Sequence, residues 1–495
     1  MSQSEQSKYK SIMTIDGGGF PGNLEWVVLS GCVPVIYSKY VTGMQKDMVP
    51  WTHYVPVSED LSDLETNIEW IFKNDAKCET ILKNLLKYTD TNLSINGIMS
   101  QLTSTMTPEP AQALQKKVWY APNKFESYGE EEIKAVEECL RDGWLAGFGP
   151  RTVEFERRVS ALFGKKHGLF VNSGSSAILL ALCSLNLPKG SEVITPACGF
   201  NTTVAPIVQL GLTPVFCDVQ SDKYVPSVEQ VSAVFTEKTA VLLLPSLIGN
   251  TPDWDALRAK FPHLVIIEDS ADTITDVGKW ASDIATTSFY ASHVITAGGV
   301  GGMVMFNNEA HLKRATMFRD WGRIGDNAEE PSERFNHSVD GIPYDWKFLY
   351  GVCGYHLKAC EMNAAFGNAQ LDKLSGFLAK RRANIERYLE NLKDTKYYTL
   401  PDDSRKPNWL AIPLQCPDRL ELLVYLEQSN IQTRVCFSGN ITRHPAFEEY
   451  KQEFAVSDTI MRDGFLLGAH HGMSLDDVDY VCYMLTSFEN YKKKC

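Results

Sequence analysis

From about Val118 onward, short apolar runs of strand length alternate with amphipathic stretches of helix length. Gly168–Val171, Glu192–Thr195, Thr213–Asp218, Ala240–Pro245 and Leu264–Glu268 are continuous apolar runs bounded by turn residues. Strands with no polar alternation are buried on both faces, which a parallel sheet covered by helices provides. The intervening segments supply those helices: Glu130–Arg141, then Thr152–Phe163 with Phe155, Val159 and Leu162 at helical spacing, then Ser175–Leu185 after a Gly-Ser turn. This order predicts an α/β domain with a mainly parallel sheet. Ala359–Leu374 reads as a long helix, and the last hundred or so residues read as a smaller α+β unit.

The chain has 495 residues, enough for two or three units. It is 44% apolar and 22% charged, which are globular values and exclude a mainly disordered chain. Ahead of the α/β region, Ser11–Asp16 and Val33–Tyr37 read as strands, the first followed by Gly17-Gly18-Gly19. Leu24–Leu29 can open a helix, and Asp60–Asp63 opens another that carries Leu64, Ile68, Trp70 and Ile71. Thr89–Gln115 is rich in Ser, Thr, Asn and Gln and contains Thr107-Pro108-Glu109-Pro110, so it reads as a linker. The expected division is 1–90, a linker at 91–117, a large domain at 118–375 and a small one at 376–495.

The net charge of −13 argues against a nucleic-acid or anionic-membrane surface, because phosphate binding needs a basic footprint. One local anion site is compatible with it. The twelve cysteines form no C-x-x-C pair, against zinc ribbons and thioredoxin-like sites. No run reaches the length of a membrane span, and the polar start MSQSEQSKYK does not read as a secretory signal. A reducing, cytoplasmic compartment is the expectation.

Four constellations can carry chemistry. Asn172-Ser173-Gly174-Ser175-Ser176 stands at a strand-to-helix junction, where free N–H groups and the helix dipole attract an anion. An ordinary capped helix start is the plainer reading. Glu268-Asp269-Ser270 ends a buried strand, the edge at which ligands collect in open α/β sheets. A carboxylate there can keep a heteroaromatic nitrogen protonated, or simply cap a helix. Ser288-Phe289-Tyr290-Ala291-Ser292-His293 precedes the glycine-rich Gly298–Gly302. Thr433-Arg434 and Phe437-Ser438-Gly439-Asn440-Ile441-Thr442-Arg443 place two arginines around a Gly-Asn turn, suited to a carboxylate or diphosphate or to a solvated loop.

In this order, with Asp142-Gly143-Trp144, Thr195-Pro196-Ala197, Phe200 and Gly354-Tyr355, these pieces resemble the pyridoxal-phosphate-dependent (DegT-type) sugar aminotransferases and dehydratases that act on nucleotide-linked keto-sugars. The resemblance spans Tyr120 to Phe488. It implies the aspartate-aminotransferase-like fold (fold type I) and a homodimer with shared sites. It places the cofactor phosphate on Gly174, Ser175 and Ser288, Phe200 on the pyridine ring, Asp269 on the ring nitrogen and Asp272 near the ring hydroxyl. His356 stands where the family offers asparagine to the phosphate across the dimer, and Val300 replaces an acidic residue of the glycine turn. Arg434, Asn440 and Arg443 fall in the substrate-binding segment.

His293 occupies the position of the lysine that anchors the cofactor covalently in aminotransferases. A subset of the family shares this substitution: the hexose 3-dehydratases, which remove the C3 hydroxyl of a nucleotide-linked 4-keto-6-deoxyhexose. The resemblance therefore implies pyridoxal or pyridoxamine phosphate as cofactor and His293 as a base active near neutral pH. Some dehydratases bind an iron–sulfur cluster on cysteines that follow the Arg-Asp-Trp-Gly-Arg segment. Arg319-Asp320-Trp321-Gly322-Arg323 is present here, but Ile324–Leu349 has no cysteine, so no cluster is expected and an amino donor such as glutamate is.

The N-terminal region resembles part of the CAP10-like lipopolysaccharide-modifying glycosyltransferases, through Ile15-Asp16-Gly17, Leu29-Ser30-Gly31-Cys32, Pro50–Val57 and Asp60–Leu64. It covers only the later part of such a domain. Two rival readings remain: a binding scaffold without catalysis, and a bifunctional glycan enzyme whose first 90 residues transfer sugars.

Overall fold

The computed structural model describes residues 11–15, 33–37, 48–58, 61–88, 117–122, 127–274, 281–325 and 330–493. The helix expected at Leu24–Leu29, the turn at Gly17–Gly19 and the linker Thr89–Gln115 lie outside them. The chain divides into two compact units, Met1–Lys116 and Lys117–Cys495.

In the first unit, β1 (Ser11–Ile15), β2 (Val33–Tyr37) and β3 (Val55–Pro56) form a parallel sheet in that order. Helices α1 (Leu64–Lys73) and α2 (Asp75–Tyr88) follow. They bury Ile71, Cys78 and Ile81 with Val55 and Val57. Asp63 prepares the start of α1 by accepting from Ser58 N at 2.8 Å and Ser58 Oγ at 2.7 Å.

The second unit opens with α3 (Glu130–Asp142) and α4 (Pro150–Leu162). Then strands and helices alternate: β4 (His167–Val171), α5 (Gly174–Leu185), β5 (Glu192–Pro196), α6 (Asn201–Gln209), β6 (Thr213–Cys217), α7 (Val228–Val234), β7 (Thr239–Pro245), α8 (Trp254–Lys260) and β8 (Val265–Ser270). Strands β9 (Ile284–Ser288) and β10 (Gly302–Phe306) complete a seven-stranded sheet of order β4-β10-β9-β8-β7-β5-β6. Strands β9, β8, β7, β5 and β6 run parallel, and β10 is antiparallel to both its neighbours. The mainly parallel α/β sheet is the one expected from the sequence. The reversal at β10 was not legible, because a buried run carries no sign of its direction.

After α9 (Glu309–Arg319), the short α10 (Pro331–Arg334) leads to a hairpin of β11 (His337–Val339) and β12 (Ile342–Tyr344). Helix α11 (Glu361–Leu392) is twice the length expected, 32 residues. It continues through Gly376, since one glycine costs a helix only about 1 kcal/mol, and it packs against α3 and α4. The remainder comprises β13 (Ala411–Gln415), α12 (Arg419–Gln428), β14 (Thr433–Val435), α13 (Ala455–Asp463), β15 (Gly464–Gly468) and α14 (Leu475–Lys492). Its antiparallel sheet, ordered β13-β15-β14, shares a core with the C-terminal half of α11 through Ile385, Tyr388 and Leu392.

Candidate active site

The carboxyl ends of β4, β8 and β9 carry three of the four groups of residues singled out above, and the end of β5 leads into Phe200, at the sheet edge where ligands collect in open α/β folds. At the end of β4, Ser173 caps α5, its Oγ accepting from Ser176 N at 3.1 Å. Helix geometry leaves the N–H groups of Gly174 and Ser175 without intrahelical acceptors. Ser288, at the end of β9, presses on this turn: a Cβ on Gly174 would stand 2.7 Å from Ser288 Cβ. Gly174, Ser175 and Ser288 thus stand together as candidate donors to an anion.

Beyond these donors, Phe200 occupies the N-cap position of α6 with its ring exposed. Three residues on, Thr203 Oγ1 donates to Asp269 Oδ2 at 2.7 Å. This ties Phe200 and the carboxylate to one corner. Asp269 Oδ1 accepts from Ala271 N at 3.2 Å. Asp269 is buried, no described cation pairs with it, and burial pushes its pKa up. A carboxylate in that state wants a positive partner, which a protonated pyridine nitrogen is. An exposed aromatic face, a buried unpaired carboxylate and these candidate anion donors together fit pyridoxal phosphate.

Asp272 lies one turn after Asp269, accepting from Ile248 N at 2.9 Å, and burial pushes it up to about 7. His293, in the loop after β9, places Nε2 3.8 Å from Asp272 Oδ1. Burial pushes the imidazole down to about 4, with the Ser288 backbone acting in the opposite direction. The ring is therefore neutral at physiological pH, and Nδ1 has no hydrogen-bond partner among the described residues. Behind Asp269, Glu268 is fully buried and accepts from Ser270, from Ser282 Oγ at 3.2 Å and from Ser246 Oγ at 3.4 Å.

The Phe437–Arg443 segment is brought against this corner. Ser438 Oγ donates to Gly199 O at 2.6 Å, and the rings of Phe437 and Phe200 meet edge to face at 6.2 Å. Within it, Asn440 is fully buried and its amide is spent internally, on Asp458, Gln452 O and Thr442. Arg443 is gripped by both oxygens of Asp458. These two residues shape the loop. Arg434 stacks on Tyr120 at 5.4 Å. His356 takes another course: it is exposed and its imidazole stacks on Trp321 at 4.5 Å. Val300 is exposed in the glycine turn. Thr203 and Ile248 were not anticipated as members of the site.

A family model for the DegT/DnrJ/EryC1/StrS aminotransferases matches residues 126–486. The chain belongs to that family. It is therefore a pyridoxal-phosphate-dependent sugar enzyme of fold type I. A second model, glycosyl transferase family 90, matches residues 1–134. The lipopolysaccharide biosynthesis protein RfbH of Salmonella typhimurium is 34% identical over 438 residues, covering 81% of this chain and 99% of that protein. The dTDP-4-dehydro-2,6-dideoxy-D-glucose 3-dehydratase of Saccharopolyspora spinosa is 35% identical, covering 72% of this chain and 84% of its own. GDP-perosamine synthase of Escherichia coli O157:H7, 26% identical, covers 75% of this chain and 100% of its own. Among solved structures, GDP-4-keto-6-deoxymannose-3-dehydratase with bound GDP-perosamine superposes with a TM-score of 0.66 at 23% identity, over 74% of this chain and all of that one. Among the described residues, no helix is long and apolar enough to cross a membrane.

Proposed function

We propose that the enzyme is a nucleotide-sugar 3-dehydratase, removing the C3 hydroxyl of a nucleotide-linked 4-keto-6-deoxyhexose. The observation that carries this reading is His293: a buried, neutral imidazole at the position where aminotransferases hold the anchoring lysine, in a Ser288–Gly302 segment without lysine. Two relatives bearing the name 3-dehydratase support it.

When bound, the aminated cofactor supplies the amine that joins the sugar C4 carbonyl and the ring that takes up an electron pair. The protein's part is positioning and proton transfer. Gly174, Ser175 and Ser288 would hold the phosphate, Phe200 would cover the ring and Asp269 would keep its nitrogen protonated. His293 would serve as the base for the proton at C4′, with Asp272 beside it. Histidine cannot capture the cofactor covalently as lysine does, which directs the reaction toward loss of the C3 oxygen. Without cysteines between Ile324 and Leu349, an amino donor such as glutamate restores the amine.

The test is a product assay by mass spectrometry, with pyridoxal phosphate, glutamate and a panel of nucleotide-linked 4-keto-6-deoxyhexoses. Net loss of one oxygen from the sugar is the expected result. An amino sugar as sole product would overturn the reading in favour of transamination.

The proposal includes a homodimer. Trp144, Phe148, Trp321, Phe348 and Tyr350 are exposed large apolar or aromatic side chains, of the kind a dimer interface covers. Light scattering should give about twice the chain mass of 55.5 kDa. A monomer at micromolar concentration would remove His356 from any role in a partner's site.

A further inference from the structure

Arg381 lies in the middle of α11 and is fully buried. Its Nη1 donates to Leu410 O at 3.0 Å, while Nε and Nη2 are buried with no partner among the described residues. A guanidinium that serves only as a structural tie has its donors satisfied, because an unpaired buried cation is costly. The contact with Leu410 begins a continuous path to the site. Leu410 N donates to Ile248 O at 2.7 Å, Ile248 N donates to Asp272 Oδ2 at 2.9 Å, and Asp272 Oδ1 faces His293 Nε2 at 3.8 Å. Ile248 holds a φ of 62°, a strained conformation for a β-branched residue. It persists because the chain at Asn408–Leu410 is pressed against it: a Cβ on Gly249 would meet Asn408 O at 2.8 Å.

We infer that Arg381 is a positioning residue for the base: tied through Leu410 and Ile248, it anchors the backbone path that sets Asp272 against His293. Its positive charge also opposes proton uptake by the imidazole. The inference rests on the reading of His293 as base. The titratable groups facing the imidazole among the described residues are Asp272 and Tyr290, whose ring centre is 6.2 Å from that of His293, and Asp269, Tyr120 and Cys436 in turn act on Asp272, with Arg434 on the Tyr120 ring. Asp272 is pushed up to about 7 by burial and Tyr120 is raised by burial, so neither offers the imidazole a full negative charge in mildly acid solution. Burial brings Arg381 down only to about 10, so it stays charged at neutral pH. It adds to the burial that holds His293 below its ordinary value.

The experiment follows the His293 signal in the histidine-labelled full chain by NMR titration without cofactor, assigned by its absence in His293→Asn. Arg381→Met should raise the His293 midpoint by about one pH unit, a tenfold gain in proton affinity. Arg381→Lys, which keeps the charge, should leave it within about 0.3 unit of the wild type. With cofactor and substrate, the acid limb of the kcat/KM profile should move up in Arg381→Met and not in Arg381→Lys. A folded Arg381→Met that titrates like the wild type overturns the inference, as does a Lys variant that shifts as far as Met. If Arg381→Met does not fold, a wild-type midpoint at or above 6.5 overturns it. Full turnover in His293→Asn, with the Arg381→Met shift still present, would remove the base reading and leave the electrostatic part standing.

Discussion

His293→Asn should keep pyridoxal phosphate bound and lose about a thousandfold in C3 deoxygenation, the scale of a missing general base. The residues proposed to hold the cofactor stand on other strand ends: the anion donors at β4 and β9, Asp269 at β8 and Phe200 ahead of α6. None takes its position from the imidazole. Absorbance of the purified variant reports the cofactor, and mass spectrometry of the sugar reports the chemistry. Retained turnover would sink the mechanism, which assigns the proton transfer to His293. The same variant carries a second signature. The folded-state pKa of His293, about 4, lies below its ordinary 6.5, so the stability it contributes is complete above 6.5 and is lost as pH falls toward 4. His293→Asn should flatten that part of the acid-denaturation curve. Asp272, raised from 3.8 to about 7, has the opposite sign: its contribution is full below 3.8 and is lost as pH rises through 7.

Gly302→Ala should damage the candidate anion site more than any other one-carbon change. A Cβ there would stand 2.3 Å from the Ser173 carbonyl carbon and oxygen and 2.4 Å from Gly174 N. All three are backbone atoms, and Gly302 itself is pinned between β4 and β9. The start of α5 must therefore move. Overpacking of this kind costs about 1–3 kcal/mol. Displacing the N–H groups that hold a phosphate by about 1 Å costs on the order of a hundredfold in productive binding. A lower melting temperature together with much weaker retention of pyridoxal phosphate is expected. Gly376→Ala is the control: nothing lies within 4 Å of its Cβ position in α11, so it should stabilise by about 1 kcal/mol. If Gly302→Ala bound cofactor as tightly as the wild type, the anion site would have been misplaced.

Much of the candidate site was legible because its residues announce themselves by type and place. Asp269 ends an apolar run, Gly174 and Ser175 follow another, and His293 stands where a lysine was expected. What stayed hidden acts through geometry. Thr203 is one of two adjacent threonines, and only the first turn of α6 decides which reaches Asp269. Ile248 contributes a backbone N–H, for which its side chain gives no signal. Lys380-Arg381-Arg382 reads as a solvated charged face, yet the middle residue is buried while Arg382 binds Asp403. One signal was present: Leu374, Leu378, Arg381, Ile385, Tyr388 and Leu392 recur at steps of three and four, so Arg381 falls within the buried stripe. Asn440 misleads in the other direction, since a Gly-Asn turn suggests an offered amide and the fold consumes it.

The length of α11 gives it the properties of a lever. At about 1.5 Å per residue, its 32 residues span about 48 Å. One end is held by Glu361, which accepts from Arg151 N and Thr152 N at the start of α4. Toward the other end, Asn384 donates to His470 O and Arg387 grips Asp479 on α14. A tilt of one degree about the first anchor would carry the far tip by about 0.8 Å, at the helical rise of about 1.5 Å per residue. Arg381 sits along that arm, so its reach to Leu410 O depends on how both ends of the helix are tied.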